Sequence, residues 1–253
     1  MDETLDRREF LGATAAVSTL STAGVAPKAA ASPTRHFFLV ENGTPNAEGF
    51  HVSMISCNQA TRHLAALATI RKRTNYLQEL TYPSTDRWKT PYVKRAIEHL
   101  MASPDMMAHT VRVDRFTNWH QRSPDDRRVL YFSIYHQLFA TAAIAGKTPR
   151  AAVHLLARST DNRDHLLAAD LRDHLGPRTT VTLGAHAYKE MAAVAAVIFG
   201  TIKADIDMKG ADTGASKVKL AIRDILRGAA KVSVLDLAQL ALSGKFAVAT
   251  MHL

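Results

Sequence analysis

From residue 35 onward, short runs with apolar residues at every second position, or unbroken, exchange with longer runs where they return every third or fourth. That exchange of periods predicts an α/β layer fold. Residues 35–41 (RHFFLVE) and 50–57 (FHVSMISC) read as two strands, and the short return through Asn42-Gly43 and Pro45 predicts an antiparallel pair. Asn58 is placed to cap a helix to residue 73, with Leu64, Leu67 and Ile70 at helical spacing. Thr90-Pro91 predicts a cap and first-turn proline for a helix through 102, and residues 109–114 (HTVRVD) alternate as a strand.

Ser123-Pro124-Asp125-Asp126 supplies an N-cap, a first-position proline and first-turn acids. Val129, Leu130, Ile134, Leu138 and Ala142 then form an apolar face up to Gly146. Residues 150–157 (RAAVHLLA) are nearly all apolar and predict a buried strand, after which Asp161 caps a helix ending at Gly176. Residues 179–183 (TTVTL) read as a strand, 186–207 and 216–227 as helices, and 232–253 fits helix and strand equally. No internal repeat is visible.

The first thirty residues stand apart. Asp6-Arg7-Arg8-Glu9-Phe10-Leu11 resembles the twin-arginine export motif, residues 12–26 are mildly apolar, and Ala29-Ala30-Ala31 offers a small-residue cleavage site. This arrangement predicts a leader over 1–31 and a single domain over 32–253, with a never-cleaved, cytoplasmic arm as the alternative. The stretch is too weakly apolar to span a bilayer.

Composition adds a charge argument. Thirty-two Lys and Arg against 23 Asp and Glu give a net charge of +9 over 253 residues. That balance admits nucleic acid or another polyanion as partner. The tight basic clusters are Arg71, Lys72 and Arg73, then Arg127 and Arg128, which are candidate phosphate contacts. The one cysteine, Cys57, rules out an internal disulfide and reads as a buried structural thiol. Several chemistries drop out on spacing. The Gly210 to Lys217 segment lacks the ending of a phosphate loop, and no serine nucleophile elbow occurs. None of the 12 histidines sits in a zinc-binding spacing.

Several short strings in a fixed order carry a resemblance. Val40-Glu41-Asn42-Gly43 ends the first predicted strand, and Glu79-Leu80-Thr81-Tyr82 follows the first long helix. Residues 131–139 (YFSIYHQLF) fill the mid-chain helix, Ala193-Val194-Ala195-Ala196 precedes Gly200, and a lysine-bearing helix follows at Lys217. Their order over 35–227 resembles the ribonuclease H-like family catalogued as domain of unknown function 3800. In that family the first strand ends in Asp-Glu-Ser-Gly and a late helix carries Gln-x-x-Asp before a glycine. The resemblance implies an α/β fold with a ribonuclease H-like mixed β-sheet and helices on both faces. It also implies a site of three or four carboxylates around Mg²⁺ or Mn²⁺.

The chain departs from the family at those carboxylates. Val40 stands at the first-strand aspartate, Ala157 at a middle-strand aspartate, and Ala193 and Ala196 at the late-helix glutamine and aspartate. Glu41 cannot replace its neighbour, because consecutive strand residues face opposite sides of the sheet. Lys189 shares a helical face with Ala196 and repels a cation there, whereas Glu190, about 600° of rotation from Ala196, projects elsewhere. These departures predict an inactive scaffold kept as a basic binding or interaction module, without a cofactor. The alternative from the same residues is an active Mg²⁺- or Mn²⁺-dependent nuclease using Glu41, Asp161 and Asp164, although Asp161 also suits a helix cap. A third reading is an exported cell-envelope protein of unrelated role.

Overall fold

The computed structural model describes residues 34–43, 49–80, 89–115, 119–142, 150–155, 163–184, 188–207 and 216–252. The leader, Pro45, Thr81-Tyr82, Gly146, Ala157, Asp161 and most of the Gly210 to Lys217 segment lie outside the described residues.

Three antiparallel strands form the centre: β1 (Thr34–Asn42), β2 (Phe50–Cys57) and β3 (Met107–Arg115). Two helices, α1 (Ala60–Arg73) and α2 (Lys89–Ala102), lie between β2 and β3. After β3, α3 (Pro124–Thr141) leads to β4 (Arg150–Leu155), which pairs parallel to β1. Then α4 (Arg163–Leu175) leads to β5 (Thr179–Leu183), parallel to β4. Helices α5 (Lys189–Asp207), α6 (Lys217–Ala230) and α7 (Leu237–Leu242) precede β6 (Phe246–His252), which pairs parallel to β3. The sheet order is β5-β4-β1-β2-β3-β6.

Side-chain alternation along β1 divides the interior. Phe37 and Leu39 point into one apolar cluster with α3 and α4, while Phe38 and Val40 point into the other with α1, α2, α5, α6 and α7. Each fully buried Phe contributes roughly 1.5–3 kcal/mol of transfer free energy. Both faces of β2 are therefore covered and all eight of its residues are buried.

Local signals explain most element ends. Ser123 caps α3 by accepting from the Asp126 amide, with Pro124 in the first turn. Gly176, at φ +83, closes α4. Three expectations need correction. α2 opens at Lys89, so Thr90 lies inside its first turn rather than capping it. The N-cap of α1 is Gln59 rather than Asn58, and its side chain makes no capping bond. Instead Asp105, after α2, accepts from the Asn58 and Gln59 amides at 3.3 and 3.2 Å. Val129, expected on the apolar face of α3, is 64% exposed, because the packed face runs through Tyr131, Ile134, Tyr135 and Leu138. The stretch beyond 232 contains both α7 and β6, with β6 completing one edge of the sheet.

Candidate functional site

The end of β1 decides what chemistry the scaffold can hold. Val40 is 4% exposed and packs in one cluster with Phe38, Ile55, Val194, Ala195 and Ile198, against which Ala193 and Ala196 also pack. β1 and α5 thus bring Val40 and the late-helix alanines into the same apolar layer. Across the sheet Val40 pairs with Ser53 and Ser53 with Thr110, whose hydroxyls bond each other at 2.7 Å. The described residues here offer no carboxylate, and a hard divalent cation needs oxygen ligands. Among the described residues no group of three or more His, Cys, Asp or Glu side chains can hold a metal. This donor set does not fit such an ion.

Glu41 lies on the opposite face, as the alternation of β1 dictates. Its carboxylate accepts hydrogen bonds from the hydroxyls of Tyr131 and Tyr135 on α3, which lie 3.1 Å from one another. Burial, reinforced by the Glu41 charge, holds the Tyr135 phenol well above its ordinary pKa, so it remains a donor at neutral pH. Asp164 sits in the first turn of α4, the other helix on that face. Glu41 and Asp164 therefore belong to the α3/α4 side of the sheet and Val40 to the other.

The basic clusters are likewise separated. Arg71 is enclosed: it donates to the Tyr76 and Gln78 carbonyls and meets Glu190 at 2.5 Å, with its guanidinium 5.0 and 4.8 Å from the Tyr76 and Tyr92 ring centres. Tyr92 also donates to Glu190. Lys72 and Arg73 are exposed on α1. Arg127 and Arg128 belong to α3, across the sheet, and Arg128 pairs with Asp125 at 3.1 Å. Lys189, expected beside Ala196, reaches Glu79 at 2.7 Å with both side chains largely exposed.

Three histidine groups have no counterpart in the sequence motifs. His63, 3% exposed, donates through Nε2 to Asp105 at 3.1 Å, which leaves its Nδ1 to accept from His99 Nε2 at 3.1 Å. His36 and His154 stack on neighbouring strands, 3.1 Å apart between ring nitrogens, beside Phe38 and Tyr188. His136 bonds Asp170 at 2.6 Å and stacks on His174 at 3.8 Å. Single histidines in a sequence carry no spacing signal for such pairs. Cys57 is buried and its thiol is pushed up to about 12 by that burial and by Asp105, consistent with a structural role.

No family model matches the chain, and no curated protein matches it. Among solved structures, a chain of the PCNA:RNase HII complex from Archaeoglobus fulgidus is similar at 11% identity and TM-score 0.39, covering 76% of this chain and 87% of that one. Bst-RNase HIII in complex with Mn²⁺ is similar at 15% identity and TM-score 0.37, covering 83% of this chain and 77% of that one. These overlays are distant. The class is defined by the strands: an antiparallel β1-β2-β3 with β4 and β5 added parallel beside β1, and helices on both faces, is a ribonuclease H-like fold.

Proposed function

We propose that the protein is a non-cleaving ribonuclease H-like module that holds nucleic acid on the helical layer over Val40. One feature supports both halves of this reading: the sheet face that carries apolar residues in place of the acids also carries the cations. Helices α1, α2 and α6, which pack side by side in that layer, hold eleven Lys and Arg against two acids, and with α5 and α7 included the layer holds thirteen against five. On the other face α3 and α4 hold four against five. Several of the eleven are committed inside the fold, yet Arg62, Lys72, Arg73, Lys94, Arg95 and Lys217 are exposed. A field of one sign on one face attracts a phosphate backbone, and releasing its counterions makes the binding salt-dependent.

The test is a titration of a labelled duplex oligonucleotide by fluorescence anisotropy at several salt concentrations, with Mg²⁺ or Mn²⁺ added in parallel and the products run on a gel. Binding should weaken steeply with salt, and Lys72→Glu with Arg73→Glu should weaken it tenfold or more. Arg127→Glu with Arg128→Glu, on the opposite layer, should change it less than threefold. Absence of binding at low salt overturns the module. Metal-dependent cleavage lost on Glu41→Gln instead establishes the nuclease.

A further inference from the structure

At the end of β1 a row of side chains crosses three strands. Asn42 pairs with His51, and His51 with Arg112, so all three stand on the sheet face covered by α5. His51 is fully buried, and neither of its ring nitrogens has a hydrogen-bond partner among the described residues. The Asn42 Nδ2 amide is also buried and unpartnered. Arg112 Nε lies 2.6 Å from Asp114 Oδ1 as an ion pair, but without hydrogen-bond alignment. Orphaned buried polar atoms cost roughly 1–3 kcal/mol each, so a row of them calls for an account.

Charged groups from α5 close over the same place. Lys203 and Asp207 pair with each other one helical turn apart. Gly49, at φ +69, lets these groups come close to the backbone: a Cβ there would lie 3.2 Å from Asp207 Oδ1, 3.8 Å from Lys203 Nζ and 4.0 Å from Arg112 Nη2. At Gly43, with φ +94, a Cβ would come 3.0 Å from the Lys203 stem. Two cations and two unpartnered groups of the sheet therefore lie together near Gly49, which carries no side chain.

We propose that this row binds a terminal phosphate group. Asn42 and the His51 N–H donate to phosphate oxygens, and Lys203 and Arg112 balance the charge. Burial, then Arg112 and Lys203, lower the His51 pKa to about 4, so the ring is neutral at pH 7 and presents one donor and one lone pair. A phosphate carrying one P–OH satisfies both nitrogens, because it can accept from one and donate to the other. Sulfate and a bridging phosphodiester have no hydroxyl to donate. Asp207 occupies Lys203 when no anion is present and must swing away, which its partial exposure allows. Asp114, on Arg112, is the second carboxylate that an anion meets. The row lies two residues beyond Val40 on the same face of the sheet, but the inference does not rest on the nucleic-acid reading, since inorganic phosphate alone tests it.

The experiment is a thermal melt of the full chain in inorganic phosphate, against chloride and sulfate at matched ionic strength. Phosphate should raise Tm saturably and sulfate less. Asp207→Asn, a surface change that removes the competing carboxylate, should lower the half-saturating phosphate concentration threefold or more. Asn42→Ala should raise it by a similar factor, and serves where His51→Leu does not fold. A 5′-phosphorylated dinucleotide that competes with phosphate assigns the source to a nucleic-acid end, and one that does not assigns it to free phosphate. Either result supports the site. A Tm response to phosphate no larger than to chloride, or one that is the same in the wild type, Asp207→Asn and Asn42→Ala, overturns it.

Discussion

Val40 and Glu41 are adjacent on β1 and lead opposite lives. Val40 contributes a branched apolar side chain to the α5 layer, while Glu41 is tied by two tyrosine hydroxyls on the α3 side. Val40→Asp is therefore a sharp probe of the proposed metal-free centre. An unpaired carboxylate in that cluster should cost about 3 kcal/mol or more, read as a fall in the urea midpoint. Millimolar Mg²⁺ or Mn²⁺ should not recover it. If Mn²⁺ restores the midpoint, oxygen ligands from elsewhere in the chain surround residue 40 and the metal-free reading fails. The separation of these two residues was legible in the sequence, because it follows from strand alternation alone. The tyrosine partners of Glu41 were not, since the helix carrying them packs ninety residues later in the chain. The Asn42-His51-Arg112 row was equally hidden: it exists only once strand register is set, and register depends on pairings the sequence does not spell out.

At the scale of elements, the sequence yielded the five strands of the ribonuclease H-like core and most helices, because each has an apolar period or a cap of its own. It did not resolve α7 and β6. Residues 237–252 combine alanine, leucine and valine without a clean period, and tertiary contacts decide their structure: Leu240 is buried in the α-helical layer and β6 pairs with β3. The charge that ties this region to the core also escapes a sequence reading. Asp205 on α5 is 1% exposed at its side chain, 3.7 Å from Arg223 and 2.9 Å from Arg227 on α6, and it accepts from the Leu235 amide just before α7. Removing one member leaves the others desolvated without their partner. Asp205→Ala should therefore cost roughly 3–5 kcal/mol in urea unfolding, with Asp205→Asn in between because its oxygen still accepts. A loss below about 1 kcal/mol would show that α6 and the loop before α7 hold their places by apolar packing alone.

The whole molecule carries its histidines in a way that makes stability depend on acid. His51, His109 and His154, on the three strands β2, β3 and β4, are 0%, 2% and 6% exposed. Burial first, with nearby positive groups or His36 second, brings each to about 4 from an ordinary 6.5. The native state thus resists protons that the unfolded chain takes up readily, so stability is fully present above pH 6.5 and is lost as pH falls toward 4. Each histidine accounts for about 3 kcal/mol over that interval, and together they give a slope near 4 kcal/mol per pH unit around pH 5. Urea midpoints measured from pH 8 to pH 4 should be flat at first and then fall steeply below 6.5. His154→Phe keeps an aromatic ring among Phe38, His36 and Tyr188 while removing one titrating site. It should cut the slope by about a third and leave the variant more stable than the parent at pH 5. A midpoint unchanged between pH 7 and 5 would mean that these rings reach solvent or bind protons in the native sheet, against the packing that places them inside it.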